Sequence, residues 1–383
     1  MQITQVYALV NDALKETLGE TTVVAEDLSN VVDMGDAVFN ANAMDKYVES
    51  LVNHIGRVIF VNRKYEGGAP SVLMDGWEYG SVCEKISADL PEATENESWE
   101  LQDGAVYEQD TFYQPKVSAK FFNKRVTFEI PVSFTEKQVK QSFSNAGQLN
   151  AFISMIYNEV DKAMTVNLDN LIMRTINSMI YETIKDQYGT GVHTGASGVR
   201  AVNLLKLYNT QYSESLTAGV AIHTPEFIRF ASYIMKLYAN RLSKISKLFN
   251  IGGKARFTRR SELKIVLLDE FDAGASVYLQ SDTFHDELVK LPAAETVPYW
   301  QGSGSGYAFN DTSKVIVTKD GTSITTTGVI GVMFDRDALG VANLDRRVKS
   351  HVNDKAEFVN NWFKFDAGYF NDLNENFVVF FME

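Results

Sequence analysis

Few residues of this 383-residue chain have the types and spacing that enzyme chemistry needs. Asp269, Glu270 and Asp272 directly follow a predicted strand, LKIVLL, at a position where α/β proteins often bind ligands. Carboxylates there could hold a hard cation. The plainer interpretation is a turn at the end of the strand, with Asp272 capping the next helix. We favour the turn, and a soluble α/β metal-dependent enzyme stays as an alternative.

Other catalytic patterns are missing from the sequence. GTGVHTG at 189–195 has glycines, but no strand precedes it and no Lys-Ser/Thr pair follows, so it is interpreted as a loop. The five histidines are scattered, without an HExxH pattern or a cysteine partner, which disfavours a zinc site. The single cysteine, Cys83, excludes an intramolecular disulfide and has no histidine near it in sequence. We therefore predict no enzymatic activity, no catalytic residue, no metal and no cofactor.

The charge balance narrows the classes of partner. The net charge is −13, and up to Asp45 the only basic residue is Lys15, against eight acidic residues. This charge distribution provides no basic arm that could bind the phosphate backbone of a nucleic acid. No run of eighteen apolar residues exists and the N-terminus lacks the features of a secretion signal, so we predict no membrane association.

Two charged clusters are candidate contacts between subunits. One is acidic and lies in a polar segment at 63–113, and the other is basic and lies in GGKARFTRR. Complementary potentials can fix the register between copies, although a solvated turn is the plainer interpretation of the basic cluster. The candidate contact residues are Glu92, Glu95, Glu97, Glu100, Asp103, Lys254, Arg256, Arg259 and Arg260.

A long helix organises the chain. Residues 147–188 contain apolar side chains three and four apart, with no glycine or proline between Gly147 and Gly189. Capping boxes are predicted at Thr135 with Gln138, for a short first helix, and at Asn145 with Gln148, for the long one. A helix of this length is roughly 60 Å long. We expect it to lie across a sheet.

The remaining elements are predicted from periodicity. A helix at 4–18 begins an acidic leading arm that few apolar residues anchor, and a second helix covers 43–55. Two runs are predicted to form the stems of a hairpin arm packed on another copy: RVIFVN at 57–62, and the run at 116–132, which Pro131 restricts to an edge strand or to the end of a strand. A helix at 225–249, strands at 263–268, 314–318 and 327–334, and a short helix after Asp272 form an α/β lobe. GSGSG at 302–306 is a loop, and the aromatic tail, ending in FVVFF, is strand.

Several of these stretches resemble a known family. The succession KVSAKFFNKRVTFEIPVSF, TEKQVKQSF and NAGQLNAFISMIYNEVDKAM, followed later by GVIGVMFDRDALG, WFKFDAGYF and FVVFF, resembles tailed-phage major capsid proteins of the Hong Kong phage type fold. It is most similar to coat proteins of small short-tailed (podovirus, picovirus-like) phages that replicate by protein priming. The resemblance implies an α+β fold with an N-arm, an extended β-hairpin loop, a peripheral domain with a long spine helix and an α/β axial domain.

The resemblance also implies the domain boundaries. These are 1–43 for the N-terminal arm, 44–62 for entry to the peripheral domain and 63–115 for the extension loop. The peripheral domain with the spine follows at 116–188, the axial domain at 189–340, and the return to the peripheral domain at 341–383.

The implied function is that of a shell protein. It self-assembles as hexamers and pentamers into the icosahedral head shell enclosing a double-stranded DNA phage genome. Implied partners are many copies of itself, a scaffolding protein, a portal or connector protein, and packaged DNA without sequence-specific binding. Its location is the virion, and the host cytoplasm during assembly. The acidic arm agrees with filling of a preformed shell. Alternatives are an encapsulin-type nanocompartment shell, the enzyme above, and a tail or connector protein.

Overall fold

A computed structural model of the chain describes residues 3–19, 24–25, 29–41, 43–62, 69–74, 83–89, 91, 93, 95, 99–107, 110–189, 197–280, 294–300, 306, 308–319 and 321–383. They belong to two compact units. The first comprises Met1–Gly80, Arg125–Ile172 and Val341–Gly368. The second comprises Ser81–Lys124, Met173–Gly340 and Tyr369–Glu383. No described helix is long and apolar enough to cross a membrane.

The elements follow one another in chain order. Before the long helix lie α1 (Ile3–Leu18), α2 (Val31–Asn40), α3 (Met44–Asn62), β1 (Leu73–Met74), β2 (Cys83–Ala88), β3 (Val117–Phe122), β4 (Arg125–Thr135) and α4 (Glu136–Ser142). The long helix is α5 (Ala146–Tyr188). It is followed by β5 (Ala201–Asn203), α6 (Leu204–Tyr212), α7 (Ala218–Ala221), α8 (Pro225–Leu242), β6 (Leu263–Leu268), α9 (Asp269–Gln280) and β7 (Glu295–Val297). The chain ends with α10 (Phe309–Thr312), β8 (Val315–Lys319), β9 (Thr322–Thr326), β10 (Val329–Asp335), β11 (Leu339–Asn353), β12 (Phe358–Asn371) and β13 (Phe377–Phe381).

The first unit is a four-stranded sheet covered by helices. Its strand order is β1-β11-β12-β4, with β12 and β4 antiparallel and Phe363 opposite Ile130. The early part of α5 buries Ile153, Ile156 and Val160 in the same core as those two side chains. The expectation that the long helix lies across a sheet is therefore confirmed. Pro131 lies on β4, an edge strand of this sheet, as predicted.

The starts of α4 and α5 are set by side-chain caps. Thr135 and Gln138 form both halves of the predicted capping box. At α5, the backbone N–H of Gln148 donates to Asn145 Oδ1 at 2.9 Å, as the second predicted cap requires. With 43 residues uninterrupted by proline, α5 is about 65 Å long.

The leading arm is better anchored than the sequence suggested. Helix α1 is confirmed, but residues 31–40, which belong to the predicted acidic leading arm, form a second helix, α2. Val6, Val10 and Leu14 of α1 and Val38 of α2 are fully buried in the core of the first unit. The prediction of an arm with few apolar anchors is wrong, because apolar residues at helical spacing face inward between the acidic ones.

The predicted strand RVIFVN is also wrong. Residues 57–62 continue α3, which runs to Asn62. A short apolar run fits a strand or a buried helix equally well, and the helix already begun at Met44 propagates through it. The predicted stem at 116–132 does contain one strand of the hairpin, β3, but its partner is β2 and not residues 57–62: β2 pairs antiparallel with β3.

The second unit contains a five-stranded mixed sheet. Its order is β5-β13-β10-β6-β7, so the predicted tail strand FVVFF lies inside the sheet and is buried along its length. Strand β6 matches its prediction residue for residue. Helix α8 ends at Leu242, earlier than predicted, and α9 begins at Asp269. Residues 302–305 of the predicted GSGSG loop lie outside the described residues.

Gly328, just before β10, occupies a position that only glycine fits. Its φ is +72°, and a Cβ there would lie 2.0 Å from the backbone oxygen of Met382. Gly328→Ala is expected to lower the free energy of unfolding by about 2–3 kcal/mol, since the φ penalty and the contact add. Thermal denaturation measures the effect. Gly321→Ala is the matched control, with φ +76° and no atom of the other described residues within 4 Å of the added Cβ, and should cost only about 1 kcal/mol. Equal costs would contradict the steric argument.

Candidate functional site: the charged base of the hairpin

The β2–β3 hairpin places two lysines opposite each other. In the register of the two strands, Lys85 pairs with Lys120. The pairing ends where the backbone N–H of Asp89 donates to the Lys116 carbonyl at 2.8 Å. Like charges directly opposite on paired strands destabilise a hairpin. A counter-charge must therefore be supplied from outside it.

Asp372 supplies that counter-charge. Its side chain is only 2% exposed, and each oxygen meets a different lysine: Oδ1 lies 2.7 Å from Lys120 Nζ and Oδ2 lies 3.0 Å from Lys85 Nζ. Lys85 Nζ also lies 2.8 Å from Glu375 Oε1. The turn between β12 and β13 thus fixes both strands of the hairpin through charge-assisted hydrogen bonds.

The turn is itself rigidly held. Asp372 Oδ1 accepts from the backbone N–H of Asn374 at 3.0 Å. The Leu373 carbonyl accepts from the N–H of Gly252 at 2.8 Å, and a Cβ on Gly252 would lie 2.0 Å from Asn374 Oδ1. A side chain at position 252 would therefore have to displace the Asn374 side chain. These contacts hold the turn that carries the carboxylates independently of the hairpin strands.

Two members of the predicted basic cluster belong to this base. Arg256 Nε lies 3.3 Å from Glu375 Oε1, and Lys254 Nζ lies 2.9 Å from Asp89 Oδ1. Arg260 donates to Asn240 Oδ1 at 2.5 Å, and Arg259 is exposed. The structure therefore brings Lys254 and Arg256 to carboxylates of their own chain that were not among the candidates.

The predicted acidic contact residues are not among the carboxylates of this base, which are Asp89, Asp372 and Glu375. Glu95, Glu100 and Asp103 are exposed, and Glu92 and Glu97 lie outside the described residues. Sequence reasoning missed Lys85, Lys120, Asp372 and Glu375 as a group. Only the strand register reveals that the two lysines are opposite, and the carboxylates lie more than 250 residues away along the chain.

The charge states follow from the contacts. Burial raises the pKa of Asp372, but the hydrogen bonds from Lys120, the Asn374 N–H and Lys85 outweigh it, and the net pKa is lowered. Burial lowers the pKa of Lys85, but the contacts with Glu375 and Asp372 outweigh it and raise the net pKa. For Glu375 burial prevails over Lys85 and Arg256, and its pKa is raised. The Asp372–Lys85 pair is fully charged at neutral pH.

These charge states predict that the folded chain loses stability at acidic pH. Because the pKa of Asp372 is lower in the folded chain, its contribution to stability is present above the unfolded value of about 3.9 and is lost as pH falls through the folded pKa. We expect the free energy of unfolding to fall less steeply below about pH 4 in Asp372→Asn than in the native chain. Denaturant titrations at several pH values measure these slopes, with Asp103→Asn as the exposed control. Identical slopes would contradict the prediction.

Beyond its base, the hairpin leads into a loop that leaves large apolar side chains in solvent. Trp99 is 96% exposed, and Val106, Phe112 and Tyr113 are at least 84% exposed. Large apolar side chains exposed in one loop indicate a surface for association. A rigid base with an apolar loop beyond it is suited to holding another molecule.

The carboxylates after β6 are not arranged as a metal site. Asp269, Glu270 and Asp272 lie in the first turn of α9, so the predicted turn with Asp272 as a cap is wrong, because the helix begins three residues earlier. Their charges favour the N-terminus of a helix. Glu270 Oε2 accepts from Thr312 Oγ1 at 3.2 Å. Within the described residues, no group of three or more His, Cys, Asp or Glu side chains could hold a metal ion.

Solved structures with the same fold define the class of protein. The capsid structure of Staphylococcus phage Andhra is 10% identical over 84% of this chain and 87% of that chain, with a TM-score of 0.50. A chain in the structure of head fiber and inner core protein gp22 of native bacteriophage P68 is 8% identical over 82% and 83%, with a TM-score of 0.51. The mixed helix and sheet fold is that of phage capsid proteins, as the resemblance implied.

The family model for the Phi29-like phage major capsid protein matches residues 7–381, and the chain belongs to this family. It is a major capsid protein, which assembles with many copies of itself into the shell of the virion. The family is structural, so the enzyme and encapsulin alternatives are set aside. Among curated protein sequences, none matches the chain significantly.

Proposed function

We propose that this capsid protein assembles as hexamers and pentamers into an icosahedral head shell around double-stranded DNA. A scaffolding protein guides assembly in the host cytoplasm, and DNA enters through a portal or connector. The six-part division into arm, extension loop, peripheral and axial domains is part of this proposal. The acidic composition, with a net charge of −13, supports entry of DNA into a preformed shell over condensation around it.

The observation that carries the proposal is the hairpin with its exposed apolar loop. Large apolar side chains as exposed as Trp99 and Phe112 are unusual on a monomeric protein, whereas a neighbouring subunit in a shell would cover them. The ion pairs of Asp372 with Lys85 and Lys120 fix the strands from which the loop emerges, which lowers the entropic cost of each contact. Many copies of one such contact close a shell.

Electron microscopy of the purified chain tests the proposal, alone and expressed together with candidate scaffolding proteins. Closed shells or regular capsomers are the expected particles. Shells that retain DNA when a portal is also supplied would support the packaging part. Single molecules under every condition would overturn the proposal, and empty shells that never take up DNA would overturn the packaging part alone.

Polar substitution of the loop should separate assembly from folding. Trp99→Ser combined with Phe112→Ser is expected to leave the melting temperature unchanged, because both side chains are already exposed in the subunit. Shell yield in sedimentation should fall about tenfold or more, since the substituted side chains no longer bury apolar surface against a neighbour. Gln114→Ser, an exposed uncharged residue of the same loop, is the control. Unchanged yield in the double variant would contradict the assigned role of the loop.

A further inference from the structure

Positive charge is concentrated in one stretch of this acidic chain. Residues 229–264 contain ten Lys or Arg and a single acidic residue, Glu262. The chain as a whole has a net charge of −13. Lys254 and Arg256 are used at the base of the hairpin. Most of the other Lys and Arg side chains in the stretch are exposed.

The fold places two parts of this stretch side by side. Segment 256–260 runs antiparallel to segment 240–246: Ser246 bridges Arg256, and the Thr258 N–H donates to the Leu242 carbonyl at 2.8 Å. Thr258 is buried, so its neighbours Phe257 and Arg259 face outward. Lys and Arg side chains from both segments therefore lie on one surface.

Apolar side chains are interspersed with these bases. Ile245, Leu248 and Phe257 are all about half exposed. We define the basic face as the six exposed residues Lys244, Ile245, Lys247, Leu248, Phe257 and Arg259. A surface of cations with apolar contacts between them fits an acidic ligand that also carries aromatic side chains.

The same chain contains a segment with that chemistry. The acidic loop, residues 89–110, has eight carboxylates, and no Lys or Arg occurs between 86 and 115. Glu95, Glu100 and Asp103 are exposed, next to the exposed Trp99 and Leu101. The loop therefore matches the basic face in both charge and apolar character.

We propose that the acidic loop of one copy docks on the basic face of another copy. The inference rests on the proposed assembly into a shell. Among the residues that the structure describes, Trp99 on the loop and Ile245 and Phe257 on the face are all exposed, so these side chains are not covered within one chain. Each copy has one loop and one face, so the contact can repeat around a ring in equal numbers.

Only part of the predicted basic cluster is available to the loop of a neighbouring copy. Lys254 and Arg256 hold the hairpin of their own chain, and Arg259 remains as a contact for the neighbour. Lys244 and Lys247, which the sequence did not single out, join it. The base and the face are adjacent in sequence, so a hairpin held at the base of one chain lies beside the face that receives its neighbour's loop.

Binding of a loop peptide to the full chain tests the pairing. A fluorescein-labelled peptide of residues 86–115 is titrated onto the unassembled chain and followed by anisotropy. The triple variant Lys244→Glu, Lys247→Glu, Arg259→Glu is expected to bind about tenfold or more weakly. The control variant Lys137→Glu, Lys349→Glu, Lys355→Glu has the same net charge and reverses exposed lysines elsewhere, so it should bind like the native chain.

Charge exchange makes the test specific. A peptide with Glu95→Lys, Glu100→Lys and Asp103→Lys should bind the triple variant and not the native chain. Equal binding of the native peptide to both chains, or failure of the exchanged peptide to restore binding, would overturn the proposal. So would a 20-bp DNA duplex that binds the face when the native peptide does not, because the face would then be a DNA contact.

The peptide result and the shell result are independent. Native chain that forms no shells in electron microscopy but binds the peptide through the face would overturn the proposed function and keep the pairing. Native chain that forms shells while its triple variant forms them equally well would overturn the pairing and keep the function. Loss of shells in the triple variant, with recovery when the loop of the same chain is also reversed, is the expected outcome.

Discussion

Asp372→Ala is expected to lower the free energy of unfolding by about 3–5 kcal/mol, the cost of removing one partner from a buried ion pair. Its carboxylate is 2% exposed and is shared by Lys85 and Lys120, which lie opposite each other on β2 and β3. Without it the hairpin keeps two like charges at one cross-strand position. Guanidinium denaturation followed by circular dichroism measures the loss.

The control for Asp372 is a carboxylate that lacks these contacts. Asp110→Ala, in the exposed loop, should change stability by less than about 0.5 kcal/mol. The Asp372→Ala chain should also form fewer regular shells at temperatures where it is still folded, because the hairpin that presents the loop is no longer fixed. A loss below about 1 kcal/mol would mean that Glu375 alone compensates both lysines.

The parts of the fold that the sequence predicts are those governed by local rules. Helix α5 follows from the absence of glycine and proline and from apolar residues at helical spacing. The cap at Thr135 and Gln138 needs only residues three apart. Strand β13 is a continuous apolar run and β6 is apolar apart from Lys264, a pattern typical of strands buried on both faces.

The hairpin could not be located from local patterns. Its first stem, CEKISA, has a charged pair in the middle and a weak strand pattern, whereas RVIFVN has a strong one and is helical. The stem is stabilised by its partner strand and by Asp372, which lies almost 300 residues away. Tertiary contacts here override propensity.

The roles of the candidate contact residues could not be predicted from local patterns either. Charge clustering in the sequence pointed to Lys254 and Arg256, but it could not distinguish bases used within the chain from bases available to a neighbour. That distinction depends on where the turn at Asp372–Glu375 places its carboxylates. The basic face likewise depends on segment 256–260 lying along segment 240–246.

Ile156→Ala in the long helix is expected to lower the free energy of unfolding by about 3–4 kcal/mol. Ile156 is fully buried, in the cluster where α5 crosses the sheet of β4 and β12, next in the helical pattern to Ile153 and Val160. Close packing in that layer leaves a cavity when the side chain is shortened. Denaturant unfolding, with the slope of the transition unchanged, measures the cost.

The residue before it offers a matched control. Met155 lies on the same turn of α5 but is 43% exposed, so Met155→Ala removes a side chain of similar size without leaving a cavity and should change stability by less than about 1 kcal/mol. Helix propensity favours alanine at both positions, so only burial separates the two variants. Equal losses would mean that α5 is stabilised by its own hydrogen bonds and not by the sheet it crosses. A large loss confined to Ile156 would show that the spine is rigid because the sheet holds it.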